Sequence, residues 1–354
     1  MKVVVTGASG NVGTSVVSAL AADPDVTEIV GIARRPWAWR APKLRSLALD
    51  VSRDDLAGAF AGADAVVHLA WLFQPARDPL TTWRNNVLGS LRVFDAAASA
   101  NVEALVHASS VGTYSPGPPD GRPVDESWPT HSMPTAAYGR EKAYLERALD
   151  AFELAHPAMR VVRLRPCFIF KAESAASQRR LFAGPLLPAR LVGGKRVPVV
   201  PDVPGLAFQA IHSADAAEGY RLAVKQPVRG PFNLAADPVL TPKELGRVFG
   251  APTVRVPARL MLAGLRLAFA ARLVPAPPSL LRLFLELPLL DASRARTELG
   301  WTPARSGVEA MEAVLEGWRE RVDAPTPPLA LHAGGPLRAE EIATGVGARD
   351  AAAG

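Results

Sequence analysis

Tyr138-Gly139-Arg140-Glu141-Lys142 sets a phenol and an ammonium four residues apart. In a helix that spacing puts both side chains on one face, one turn apart. An ammonium beside a phenol favours phenolate. It is expected to lower the tyrosine from its usual value of about 10 toward the range of a working acid/base. A second hydroxyl stands upstream in Val106-His107-Ala108-Ser109-Ser110. At a strand end, a serine here can hydrogen-bond a carbonyl or alcohol oxygen. Taken singly, these features more often mark a solvated helix face and a turn serine satisfying backbone. A third feature gives them context. Val3-Val4-Val5 runs through Thr6-Gly7-Ala8-Ser9-Gly10-Asn11-Val12-Gly13 into an apolar helical stretch. A strand, a Gly-x-x-Gly-x-x-Gly turn and a helix N-terminus suit a pyrophosphate, because glycines admit close backbone approach and the helix dipole favours negative charge.

These groups must be carried on a scaffold that brings them together. Apolar runs predict strands over 3–6, 28–33, 44–49, 65–69, 104–109 and 160–165. Helical stretches between them cover 12–22, 53–61, 79–100 and 135–156. Short Val/Leu-rich strands alternating with helices predict a doubly wound parallel sheet of the Rossmann type, covered on both faces. Ligand then belongs at the carboxyl ends of the strands, where each of the three motifs falls. Beyond residue 166 the pattern changes. A strand-like patch at 207–211, a helix over 213–224, a short strand at 232–234 and a helix start at Thr241-Pro242 point to a smaller α+β region. We expect a dinucleotide-binding core over 1–170 and a substrate-binding region over 171–322 that returns to the core around 207–235. A Pro/Ala/Gly-rich, poorly ordered tail is expected over 323–354.

With the motifs in this order, the chain resembles the extended short-chain dehydrogenase/reductase family, in its epimerase/dehydratase-like branch. The resemblance covers roughly residues 1–320. It is carried by the glycine turn, Asp50-Val51, His68-Leu69-Ala70, Asn86-Val87-Leu88-Gly89, Ser109-Ser110, Tyr138 with Lys142, and Arg165-Pro166. Later matches are Ile211-His212-Ser213-Ala214-Asp215, Phe232-Asn233 and Leu299-Gly300-Trp301-Thr302-Pro303. The resemblance implies Tyr138 as general acid/base, Lys142 on the nicotinamide ribose and Ser110 as the catalytic hydroxyl. It implies Gly7, Gly10 and Gly13 shaping the turn, with Asn11 and Val12 offering N–H groups to pyrophosphate. Asp50 and Val51 would flank adenine, Leu69 and Ala70 the ribose and adenine path, and Pro166 and Phe168 the nicotinamide. Asn86 would order the site or serve structure alone. Relatives often dimerise through the two long helices, here 79–100 and 135–156, so a homodimer is compatible with the sequence.

The second strand ends Gly31-Ile32-Ala33-Arg34-Arg35, without the acid that an NAD site offers to the ribose 2′-hydroxyl. Arg34 and Arg35 suit a 2′-phosphate, which makes NADP the first choice of cofactor, with NAD the alternative. No metal is called for. Sugar-nucleotide dehydratases of the family carry Thr-Asp-Glu from the position of Ser110. Here Val111 and Gly112 follow, so that elimination lacks its acid and base. Sugar-nucleotide enzymes of the family usually show Asn two residues after Pro166. Here Phe168 stands there, followed by Ile169 and Phe170, a lining for a less polar substrate. Lys171, Arg179, Arg180, Arg190 and Lys195 argue the other way, as groups for an anionic substrate. The leading expectation is an NAD(P)-dependent carbonyl reductase or alcohol dehydrogenase acting on a fairly apolar small molecule. A sugar-nucleotide epimerase is the enzymatic alternative, and a nucleotide-binding redox sensor the non-enzymatic one.

Composition bounds the rest. The net charge is +6, but the arginines are scattered without interleaved aromatics, so nucleic acid is not an expected partner. The single cysteine, Cys167, excludes an internal disulfide framework, and the chain enters a strand without a secretory signal pattern, so a cytoplasmic protein is expected. Residues 258–290 are the most apolar region. Arg259, Arg266, Arg272 and Arg282 interrupt them, and Pro275, Pro277 and Pro278 break them, so no spanning helix is expected. The region reads as a pair of helices covering a pocket, or as an amphipathic element making weak contact with a membrane surface.

Overall fold

Val3, Val4 and Val5 are all fully buried, which the β-branched run permits only in a strand covered on both faces. The computed structural model describes residues 1–73, 77–183, 199–331 and 333. Its first half runs β1 (Lys2–Thr6), α1 (Asn11–Ala22), β2 (Glu28–Ala33), β3 (Leu44–Ala48), α2 (Ala57–Phe60), β4 (Ala65–His68), α3 (Pro79–Thr82), α4 (Gly89–Ser99), β5 (Ala104–Ala108), α5 (Ala137–Ala155) and β6 (Arg160–Pro166). Its second half runs β7 (Phe168–Phe170), α6 (Ala175–Gln178), β8 (Val200–Asp202), β9 (Phe208–His212), α7 (Ser213–Lys225), β10 (Gly230–Leu234), β11 (Ala236–Leu240) and α8 (Pro242–Phe249). It ends with β12 (Thr253–Arg255), α9 (Ala258–Ala270), α10 (Pro278–Glu286), α11 (Ser293–Thr297) and α12 (Gly307–Arg319).

Seven strands form one sheet in the order β10-β6-β5-β4-β1-β2-β3, and every pairing is parallel. This is the expected doubly wound sheet. Alternation assigns its faces. Val3, Val5, Val67 and Val106 pack with Val16, Val17 and Leu20 of α1 and Tyr220 of α7. Val4, Val30, Val66 and Leu105 pack with Phe94 of α4 and Leu145 and Leu149 of α5. The chain order reverses between β1 and β4, which opens a crevice at their carboxyl ends. A smaller sheet, β11-β9-β7, and the pair β12-β8 lie beyond β6, with α12 packed on the smaller sheet. After β9 the chain returns through β10 to the large sheet, in register with β6.

Two expected helices differ. The stretch 53–61 holds only the single turn α2. Asp50 accepts from Ser52 N at 2.9 Å and Asp54 accepts from Asp50 N at 2.7 Å, so short acidic side chains tie this backbone into a turn instead. The stretch 79–100 is not one α-helix: between α3 and α4, residues Trp83–Leu88 form a π-helical segment. Within the expected tail, Ala324, Thr326 and Leu329 are buried, while residues 332 and 334–354 lie outside the described residues.

Candidate active site

A cavity of about 360 Å³ runs along the carboxyl ends of β1, β2, β4, β5 and β6. Every candidate residue lines it: Gly7, Gly10, Asn11, Val12, Gly13, Arg34, Arg35, Asp50, Val51, Leu69, Ala70, Ser110, Tyr138, Lys142, Pro166 and Phe168. At one end lies the glycine turn. Gly7 has φ +72°, and a Cβ there would stand 2.8 Å from Ala70 N; a Cβ on Gly13 would stand 2.1 Å from the Gly7 carbonyl. No side chain caps the N-terminus of α1 and no acid lies in its first turn, so that end carries an unopposed positive dipole toward the cavity. Thr6 Oγ1 lies 2.7 Å from His68 Nδ1, and His68 Nε2 lies 2.8 Å from Ser90 Oγ, which fastens the ends of β1 and β4 to α4.

Ser110 caps a short 3₁₀ turn, Val111–Thr113, by accepting from Gly112 N at 3.0 Å, and its hydroxyl favours the ionised form of the nearby Tyr138 phenol. Its neighbour Ser109 also lines the cavity, but its hydroxyl donates to Glu146 at 2.5 Å. Burial would raise Glu146, but the Arg165 guanidinium, bonded to both its oxygens, outweighs that and holds the carboxyl at about 2. Arg165 also donates to Tyr114 Oη, which donates to Asn233. The Ser109 side chain is therefore committed to a buried network, which leaves Ser110 as the hydroxyl at the cavity.

The expectation of a lowered phenol is corrected. Burial pushes Tyr138 up to about 12, and the Ser110 hydroxyl offsets only part of this. Lys142 does not supply the expected counter-effect. Its Nζ donates to the Ala108 carbonyl at 2.6 Å and sits 3.5 Å from the Trp71 ring centroid. Burial brings the ammonium down to about 7 despite Glu141 and Glu146, so near neutral pH it carries only part of its charge.

The sequence did not single out the wall around Tyr138. Phe73 stacks on its ring at 5.1 Å and 16°, and Trp71 meets it edge-on at 5.7 Å. Asn86, from the π-helical segment, clamps the peptide between these two aromatics. It accepts from Leu72 N at 2.7 Å, donates to Leu72 O at 2.9 Å, and gives its other proton to Glu141 at 2.7 Å. Glu141 also accepts from Thr82, and burial pushes its carboxyl up. The wall continues through Phe182, Phe284 and Phe168, with Phe168 and Phe284 edge-on at 4.9 Å. Leu181, Leu280, Leu283 and Leu287 complete this end. The available signal was position, since Trp71-Leu72-Phe73 follows β4 after only Leu69 and Ala70.

Among the described residues, the basic groups weighed against an apolar substrate stand elsewhere. Lys171 is buried and donates to Thr14 and Ser15 of α1. Arg180 donates to the carbonyls of Pro328 and Ala330. Neither they nor Arg179 line the cavity, and Arg190 and Lys195 lie outside the described residues. Among the described residues no group of His, Cys, Asp and Glu could hold a metal ion, and no helix is long and apolar enough to cross a membrane.

Residues 3–235 match the model of the NAD dependent epimerase/dehydratase family. The L-arabinose 1-dehydrogenase (NAD(P)(+)) of Haloferax volcanii is 41% identical over 110 residues, 31% of this chain and 41% of that enzyme. The 4-hydroxy-2-methyl-3-oxo-4-farnesyl-3,4-dihydroquinoline-1-oxide ketoreductase of Stigmatella aurantiaca is 31% identical over 240 residues, 65% of this chain and 66% of that enzyme. Each match therefore spans less than two thirds of the relative's own length. A solved UDP-glucose 4-epimerase of Thermotoga maritima with UDP-glucose shares the fold, with a TM-score of 0.68 at 17% identity over 91% of this chain and 99% of that one.

Proposed function

The chain belongs to the NAD dependent epimerase/dehydratase family, and from that premise we propose an NAD(P)-dependent oxidoreductase that interconverts a carbonyl and an alcohol on an apolar substrate. The cavity fits the dinucleotide. Gly7 and Gly13 let the turn close on the backbone of Ala70 and Gly7, where a Cβ would collide, and the uncapped end of α1 suits a pyrophosphate. Arg34 and Arg35 would take an adenosine 2′-phosphate, with Asp50, Val51, Leu69 and Ala70 along the adenine and ribose, and Pro166 and Phe168 beside the nicotinamide. When bound, the dinucleotide supplies or accepts the hydride.

The chain's own residues then manage the oxygen and its proton. A phenol held at about 12 is protonated at neutral pH, so Tyr138 is set to donate to a carbonyl oxygen as it becomes an alcohol. Ser110 would polarise the same oxygen. Lys142 would hold the nicotinamide ribose and return a proton to Tyr138. Residues 1–170 would carry the dinucleotide and 171–322 the substrate, in a cytoplasmic protein. Leu88 and Tyr144, each 45% exposed on the two long helical segments, would contribute to a homodimer.

The single observation that carries the substrate class is the aromatic and aliphatic wall from Phe73 through Phe182 and Phe284 to Phe168. Among the described residues, the cavity's charged groups are Arg34, Arg35, Asp50 and Lys142, all assigned here to the dinucleotide. The farnesyl group in the ketoreductase relative's substrate accords with such a lining. The competing reading is a sugar-nucleotide epimerase, which the shared fold with the Thermotoga maritima enzyme accommodates. The test incubates the protein with NADPH or NADH and a panel of apolar ketones, and separately with UDP-glucose. Consumption of reduced cofactor that drops at least about 100-fold in kcat for Tyr138→Phe, with dinucleotide affinity kept, is the expected result. Interconversion of UDP-sugars without net consumption would replace the reading with epimerisation. Binding without any turnover would leave a sensor.

A further inference from the structure

We propose that the outward face of α9 seats the protein on an anionic lipid bilayer. None of the thirteen residues of α9 is buried, although most are apolar. At helical spacing the exposed residues are Leu260, Ala263, Gly264, Leu267 and Ala270, with Arg259 and Arg266 along one edge. Leu260 is 60% and Leu267 72% exposed. A helix lying on a soluble core shows the reverse arrangement, with its polar face outward.

The inner face is already occupied. Phe269 carries the Arg77 guanidinium 3.8 Å from its ring centroid, and its carbonyl accepts from the same group. Leu260 and Leu267 lie on the side of the helix away from this contact, open to solvent.

Charge selects the occupant. From Arg255 to Leu281 the sequence holds four arginines (Arg255, Arg259, Arg266 and Arg272) and no Asp or Glu; the next, Arg282, pairs with Glu286. A second copy packed by two-fold symmetry would set this all-basic helix against itself, with no acid on it to pair. An anionic bilayer complements it, since apolar side chains enter the acyl boundary and arginines reach the headgroups. Thirteen residues make a helix of about 20 Å, too short to span and suited to lie in the interface. The next helix, α10, turns Leu280, Leu283 and Phe284 into the cavity. On the oxidoreductase reading, this hairpin would put the apolar end of the cavity close to a lipid-dissolved substrate. The docking itself does not depend on that reading.

The experiment is flotation of the full chain with vesicles of equal parts phosphatidylglycerol and phosphatidylcholine, beside vesicles of phosphatidylcholine alone. Light scattering reports oligomeric state, and circular dichroism melts verify that variants fold. The wild-type protein should float with the mixed vesicles and not with pure phosphatidylcholine. Leu260→Gln/Leu267→Gln and Arg259→Glu/Arg266→Glu should each weaken partitioning at least ten-fold with an unchanged melt. Wild-type protein that stays in the aqueous phase, floats equally on both vesicles, or floats unaltered in either double variant overturns the proposal. So does a Leu260→Gln/Leu267→Gln variant that dissociates an oligomer without any loss of flotation. Ketone turnover enters none of these readouts, so failure here and failure of the oxidoreductase reading are separately visible.

Discussion

Arg34 and Arg35 put the cofactor question in the hands of two side chains. Both line the cavity at the end of β2, and the sequence there, Gly31-Ile32-Ala33-Arg34-Arg35, offers no carboxylate to a ribose hydroxyl. A guanidinium bound to a phosphate makes charge-assisted hydrogen bonds worth roughly 1.5–3 kcal/mol each, or about 10- to 100-fold in affinity. The double substitution Arg34→Ala/Arg35→Ala should therefore raise the dissociation constant for NADPH by at least ten-fold and alter that for NADH by less than about three-fold. Titration of both dinucleotides by fluorescence or calorimetry measures this. Equal losses for the two would place the arginines away from the 2′-phosphate and remove the preference for NADP. The sign of the Tyr138 shift belongs to the same scale. Four-residue spacing brings the phenol and Lys142 to one helix face, but Trp71 and Phe73 arrive from the end of β4 to bury both. Burial then outweighs a weakened ammonium.

At the scale of elements, Asn86 joins three segments. Its amide answers the N–H and carbonyl of Leu72 after β4, and its remaining proton meets Glu141 on α5. Asn86→Ala would leave two buried backbone groups and one carboxylate oxygen short of partners. The expected loss of folding stability is roughly 2–4 kcal/mol, read as a lower urea midpoint at unchanged slope. A loss under about 1 kcal/mol would show that Leu72 is held by other means. The sequence identified Asn86 but not this task, because the π-helical segment that aims it leaves no mark in hydrophobic periodicity. By contrast β1, β2, β4, β5 and β6 were legible to within two residues at each end, since strands buried on both faces read as unbroken apolar runs. The rule that ligands lie at carboxyl ends of parallel strands then gathered the candidate residues into one cavity without side-chain geometry. The three-residue strands β7, β8 and β12 escaped notice. They are too short to show alternation, and pairing with distant strands defines them.

For the whole molecule, the buried pair His68 and His107 ties stability to pH. Their rings lie 5.5 Å apart inside the sheet core. His68 is held down from 6.5 to about 3, by burial first and by the Lys142 charge second. His107 is held well below its ordinary value by the same causes, and neither of its ring nitrogens has a hydrogen-bond partner. The unfolded chain takes up these protons below about 6.5 and the folded chain does not. Their stabilising contribution is therefore whole above 6.5 and drains as pH falls toward the folded values. One unit below 6.5 the loss is about 1.4 kcal/mol per histidine. Lys142 acts in the same direction but higher, between 10.5 and about 7, and Glu146 only below 4.5. Between about pH 7 and 5.5 the two histidines should dominate among these shifted groups and lower the unfolding free energy by roughly 3 kcal/mol. His107→Leu keeps an apolar group of similar size, removes both unpaired nitrogens, and should flatten that fall by about half at no cost in stability near pH 7.5. Chemical denaturation across this pH range measures both effects. A curve flat from 7 to 5.5, or a slope that His107→Leu leaves unchanged, would mean that both imidazoles take up protons in the folded core as readily as in water.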